Sequence, residues 1–102
     1  MNTNPVSMLV SYYPKKGNEN ALLKLVKKHW PVLKEVGLVT NQPAQIWKAT
    51  DKRTNDVYFV EKFQWATPES SEIAHQTPEV MAIWEPMGPV MEKMHLARIE
   101  EV

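Results

Sequence analysis

Apolar and polar residues alternate along some stretches of this chain and recur at helical spacing along others. Val6 to Tyr13, VSMLVSYY, is β-prone, with Met8, Val10 and Tyr12 on one face and Leu9 and Tyr13 on the other, so this strand needs cover on both sides. Pro14 and Gly17 break it. Asn18 then stands as an N-cap with Glu19 in the first turn, and Leu22, Leu25, Val26, His29, Leu33 and Val36 follow helical spacing as far as Gly37. Pro31 removes a backbone donor near the end of that helix, which predicts an unpaired carbonyl at Lys27 and a bent last turn.

Leu38 to Thr50 reads as a second strand interrupted by Pro43, which suits an edge or a bulge. After the polar turn DKRTND, Val57 to Trp65, VYFVEKFQW, is the strongest strand signal, and the short link makes the two an antiparallel hairpin. Thr67-Pro68-Glu69 opens a short helix ending near His75. Thr77-Pro78-Glu79 opens another by the same chemistry, a hydroxyl N-cap, proline at the first helical position and a carboxylate in the first turn. The second helix carries Val80, Ile83, Trp84, Met87 and Met91 on one stripe, and Pro86 and Pro89 around Gly88 predict a kink or a division. A last strand runs roughly over 95–99.

The order is β-α-β-β-α-β, a ferredoxin-like α+β fold with helices on one face of an antiparallel sheet, and residues 1–102 are expected to form a single domain. The uncovered sheet face is then expected to meet a second copy of the chain as a homodimer. Twelve basic residues balance twelve acidic ones, leaving no general field to gather phosphate backbones or anionic lipid, so nucleic acid is not an expected partner. The absence of cysteine excludes disulfides, thiolate metal sites and a catalytic thiol. MNTNPVSMLV lacks the regions of a signal peptide, and no stretch has the apolar length to cross a bilayer, so the expectation is a cytoplasmic protein without membrane contact.

Large side chains are abundant: four Trp, six Met, three Tyr and two Phe supply the material for an aromatic pocket. Glu61 alternates on one strand face with Phe59, Phe63 and Trp65. Burial in such a row disfavours the charged form of a carboxylate, making Glu61 a candidate base or protonated donor; the alternatives are a solvated face, or pairing with Arg98 or a histidine. His29 lies on the apolar stripe of the first helix, where the structural reading is a core histidine donating to a backbone carbonyl and the functional one is ligand contact. No HxH, HExxH or paired-carboxylate spacing indicates a metal, and no G-x-S-x-G elbow indicates acyl-enzyme chemistry.

The strand FVEKFQW, with Glu61 and Trp65, runs straight into ATPESSEIAHQTPEV. This resembles the strand, acidic residue, aromatic, short helix and A-H-x-x-P of the dimeric α+β barrels, and among them the antibiotic biosynthesis monooxygenase-like proteins, over Val6 to Met94. The resemblance implies a dimeric α+β barrel and places His75 at the mouth of a pocket between sheet and helices. It leaves the activity open, because that superfamily includes quinone-forming oxygenases, isomerases, haem degraders and decarboxylating enzymes. The haem degraders carry an Asn on the first strand, then Trp before His. Here the first strand has Ser7 and Ser11, and His75 precedes Trp84, so haem degradation is a runner-up.

The expected site is a pocket lined by Tyr12, His29, Phe63, Trp65, His75, Trp84 and Met87, holding a flat, mostly apolar or aromatic small molecule. His75 and Glu61 are the candidate acid and base, without cofactor or metal, for a cofactor-independent monooxygenase or isomerase. The alternative is a non-catalytic binding or interaction module in which the aromatics fill the core. A cavity of roughly 300 Å³ or more favours the first.

Overall fold

The computed structural model describes residues 4–102; Met1 to Thr3, the start of the MNTNPVSMLV stretch, lie outside the described residues. The elements are β1 (Val6–Pro14), α1 (Glu19–Glu35), β2 (Gln45–Thr50), β3 (Val57–Trp65), α2 (Ser70–Ala74), α3 (Pro78–Val90) and β4 (Met91–Arg98). The strands form one antiparallel sheet in the order β2-β3-β1-β4, the ferredoxin-like arrangement, and α1 and α3 pack together on one face of it.

Register explains which side chains the helices cover. β1 and β3 pair with Val6 opposite Trp65, Met8 opposite Phe63, Val10 opposite Glu61 and Tyr12 opposite Phe59, and paired residues share a face. These alternate positions are the closed face, where Val10, Tyr12, Phe59, Glu61, Phe63 and Trp65 are all buried. From α1 the buried residues are Leu22, Val26, His29 and Leu33, so the predicted stripe is present, with Leu25 and Val36 at its half-buried margins. The opposite sheet face, with Leu9, Tyr13, Tyr58 and Val60 half-buried and Trp47 46% exposed, has no covering helix among the described residues.

Helix α1 stops at Gly37, as its sequence predicts. Gly37 takes φ +78°, its N–H donates to the carbonyl of Lys34 (3.1 Å), and the N–H of Leu38 donates to that of Leu33 (3.0 Å). This pair of bonds is a Schellman motif, sealed by the buried side chains of Leu33 and Leu38.

Several local expectations are corrected. Asn18 occupies the N-cap position of α1 without a side-chain cap bond, and Thr77 turns its hydroxyl back to the carbonyl of Ile73 (2.7 Å) instead of capping α3. Thr77 thereby ties α2 to α3. The α2 helix begins at Ser70 rather than beside Thr67, and the two hydroxyls are 3.2 Å apart. Pro86 and Pro89 do not divide α3: they are exposed, as are Ala82 and Glu85, whose carbonyls lose their donors on the solvent side. Met91 leaves the helical stripe to begin β4 without a connecting loop, four residues before the predicted strand start. Pro43 breaks the second strand more fully than expected. Only Val39 bridges Trp65 before the chain re-enters the sheet at Gln45, and β2 is an edge strand.

The hairpin turn is organised by Asp51, whose carboxylate accepts the N–H groups of Arg53 (2.8 Å) and Thr54 (3.0 Å). Those backbone donors, Thr54 foremost, hold its carboxyl below the usual carboxylate range. No described helix is long and apolar enough to cross a membrane.

Candidate functional site

The closed sheet face and the helices enclose a cavity of about 130 Å³. Its walls are built by element. β1 contributes Met8, Val10 and Tyr12 at alternate positions, β3 contributes Phe63 and Trp65, α1 contributes His29, and α3 contributes Trp84. Met94 and Leu96 join from β4 because they pair with Tyr12 and Val10 on the same face. At the end beside α2 stand Ser71 and His75, one helical turn apart.

Beneath the apolar lining runs a buried hydrogen-bond chain. The indole Nε1–H of Trp84 donates to Nε2 of His29 at 2.8 Å, and Nδ1 of His29 lies 2.9 Å from Oε1 of Glu61. Because an indole nitrogen can only donate, Nε2 must carry a lone pair, and the ring proton of a neutral His29 sits on Nδ1. His29 therefore donates to Glu61. The hydroxyl of Tyr12 donates to the same Oε1 at 2.6 Å, so one carboxylate oxygen receives two donors. Oε2 of Glu61 has no hydrogen-bond partner among the described residues although the side chain is 0% exposed.

The chain fixes the protonation of Tyr12. Burial, followed by the charge of Glu61 and the hydrogen bond to it, pushes the phenol far above its ordinary range, so Tyr12 remains a neutral donor. His29 is a core histidine, but its partner is the Glu61 carboxylate and not the expected backbone carbonyl. Of the readings open for Glu61, pairing with a histidine is the one found, in the place of Arg98 or solvent.

His75 differs from His29 in burial and in bonding. It is exposed, it caps the C-terminus of α2 with its N–H donating to the carbonyl of Ser71 (3.3 Å), and its ring meets that of Trp84 edge-on at 4.8 Å. It is thus both a helix-end residue and part of the cavity wall. The cavity also brings together Tyr12, His29, Phe63, Trp65 and Trp84 from the sequence-predicted set. Met87 is buried in the core off the cavity wall, and Glu61 lies behind the wall, in contact with Tyr12 and His29.

Met8, Val10, Ser71, Met94 and Leu96 line the cavity without having been read from sequence. The first two share the face of Tyr12 by strand alternation, and Ser71 is one turn before His75, so both signals were available. Met94 and Leu96 become visible only once β4 is extended back to Met91 and registered on β1. A larger, shallower cleft of about 690 Å³ lies around the hairpin end, where Lys16, Glu19, Asp51, Asp56, Glu92 and Lys93 make half of its lining charged. The smaller cavity is the better candidate, because it alone joins an apolar lining to a buried polar chain. Among the described residues no three His, Asp or Glu side chains gather as a metal site.

No protein-family model and no curated protein matches the sequence. Solved structures do match in fold. An antibiotic biosynthesis monooxygenase superposes with a TM-score of 0.71 at 11% identity over 95% of this chain and 98% of its own. A candidate antibiotic biosynthesis monooxygenase from Caulobacter crescentus gives 0.66 at 16% identity, covering 98% and 92%. A dimeric protein of unknown function with a ferredoxin-like fold from Bacteroides fragilis gives 0.66 at 8% identity, covering 99% and 100%. The chain has the ferredoxin-like fold of the antibiotic biosynthesis monooxygenase-like structures.

Proposed function

We propose that this chain is a single-domain, homodimeric small-molecule-binding protein whose cavity between sheet and helices takes a flat, mostly apolar compound of about one ring. The reading rests chiefly on one observation: an apolar cavity closed by an ordered polar chain on one side and bordered by the exposed imidazole of His75, which has no side-chain hydrogen bond among the described residues. An engineered apolar cavity of about 150 Å³ holds benzene, which sets the scale of ligand that 130 Å³ admits. The dimer reading is supported by the uncovered sheet face, and the Bacteroides fragilis protein of the same fold is dimeric.

The chemistry that suits this site starts with removal of a proton from the bound compound by His75. For an isomerisation the proton returns to another carbon. For an oxygenation the electron-rich anion meets dioxygen, one oxygen atom enters the compound, and the other leaves as water with two hydrogens from the substrate. Glu61, lying behind Tyr12 and His29, acts through them and does not touch the ligand.

A non-catalytic binding module is the second reading, and the specific observation favouring it is size: 130 Å³ lies well below the roughly 300 Å³ of a typical small-molecule site. Haem does not fit. A single-ring cavity is far too small for a four-ring macrocycle, and both nitrogens of His29 are already engaged, which leaves only the exposed His75 of the cavity's histidines as a ligand.

A thermal-shift screen of ring-sized metabolites tests the proposal. Ligands that stabilise the parent and lose affinity in His75→Ala, with the fold intact, support a site using His75; no stabilising compound of this size would contradict it.

A further inference from the structure

The direction of each hydrogen bond around the cavity carries more information than the residue types. Trp84 donates its only polar N–H to His29, His29 donates its ring N–H to Glu61, and Tyr12 donates its O–H to Glu61. Three polar side chains of the cavity wall therefore aim every donor they possess at one another or at a carboxylate behind the wall. His29 has no capacity left, since its Nε2 lone pair is taken by Trp84, and the indole has no acceptor. What remains is the oxygen of Tyr12. With its O–H directed at Glu61, it keeps a lone pair and can meet a ligand only as an acceptor.

We propose that Glu61 sets the hydrogen-bond polarity of the pocket from outside its wall: by accepting the hydrogen bonds of Tyr12 and His29 it leaves an acceptor-only floor, which selects ring compounds bearing a hydroxyl or amino donor. Glu61 is on this account a positioning and specificity-determining residue. The inference rests on the proposed pocket, and deepens it by naming the class of ligand. Ser71 and His75, at the other end, can each donate or accept, so they do not discriminate. A ligand whose polar end only accepts, such as an ether or an aldehyde, finds no donor at the floor. The raised pKa of Tyr12 is consistent with this, since its proton stays on the phenol and directed at Glu61.

The test uses single-ring probes sized to the cavity: phenol and aniline as donors, toluene, anisole and benzaldehyde as non-donors, with affinities measured by protein-observed NMR titration. The parent is expected to bind phenol and aniline roughly fivefold or more tightly than the others, the fold-change of one ordinary hydrogen bond. In Tyr12→Phe, which keeps the ring and removes the oxygen, that preference is expected to vanish. If all five probes bind the parent alike, the pocket stands and the polarity proposal is overturned. If the preference persists in Tyr12→Phe, the donor contact lies at the mouth, which also overturns it. Binding by none of the probes contradicts the pocket itself, and the inference falls with it. The parent supplies a second check that needs no folded variant. Nitrogen chemical shifts of His29 should show the Nδ1–H tautomer, and a ring protonated on Nε2 alone would overturn the assignment of donors.

Discussion

The floor and the mouth of the cavity each present a histidine to Trp84, and almost nothing else about the two is shared. At the floor, His29 is 3% exposed, bonded through both nitrogens, and backed by Glu61 and Tyr12. At the mouth, His75 is exposed, held by one ring contact and a backbone bond, on a helix of five residues. The difference separates two jobs that residue type alone cannot. A histidine whose lone pair and proton are both engaged orients and rigidifies. One that is free at a pocket edge is available to exchange a proton with a ligand.

If the floor is structural in this sense, its central acceptor should matter most. Glu61→Ala removes the acceptor of two buried donors and opens a cavity, and a loss of about 3–5 kcal/mol is expected from the urea midpoint. A loss under about 1 kcal/mol would show that the chain carries little of the fold's stability.

Tyr12→Phe should cost less, about 0.5–1.5 kcal/mol, the net value of one hydrogen bond. It also carries a pH signature whose sign follows from linkage. The folded-state pKa of Tyr12 is raised above the ordinary value of 10.0, so the folded chain holds the proton where the unfolded chain releases it. The stabilisation is complete below pH 10.0 and declines as the pH rises beyond it. Stability measured from pH 9 to 11 should therefore fall more steeply in the parent than in Tyr12→Phe, and parallel curves would contradict the buried phenol.

At the mouth the expected stability effects are small. His75→Ala should change stability by about 0.5 kcal/mol or less, as for an exposed position, while weakening any ligand that uses the imidazole. A larger loss with unchanged affinity would make His75 a helix-end residue only. The smallest effect is the distant control. Asp51 has a depressed pKa, so its turn contacts are intact above the ordinary carboxylate value of 3.8 and are lost as pH falls through its lower folded value. Protection of the Arg53 and Thr54 amides, measured against their intrinsic exchange rates, should fall in that acid range, and Asp51→Ala should remove that fall without touching floor or mouth.

Much of the floor was legible residue by residue, and little of it as a connected unit. Strand alternation placed Glu61 among Phe59, Phe63 and Trp65, and helical spacing placed His29 beside Leu22, Val26 and Leu33, because each pattern is local and set by burial. The bonds that join them span long separations: Tyr12 to Glu61 is 49 residues and His29 to Trp84 is 55. Which histidine would reach which carboxylate depended on the β1–β3 register and the helix packing above it, and neither is written in one segment. Local rules misled where tertiary packing prevailed. Pro86 and Pro89 read as breakers, yet their solvent-side positions let α3 continue, and the last strand, read from residue 95, begins at Met91, where its pairing with β1 delivers Met94 and Leu96 to the cavity.

The four tryptophans allow the central claim, a ligand cavity between sheet and helices, to be tested in one spectrum. Trp65 and Trp84 line the cavity, Trp30 packs against the core, and Trp47 is exposed on the opposite sheet face. Indole N–H signals recorded while a single-ring ligand is titrated should move for Trp65 and Trp84 together and stay in place for Trp30 and Trp47. Shifts confined to Trp47, or no shift at Trp84 at saturation, would place binding elsewhere and contradict the account.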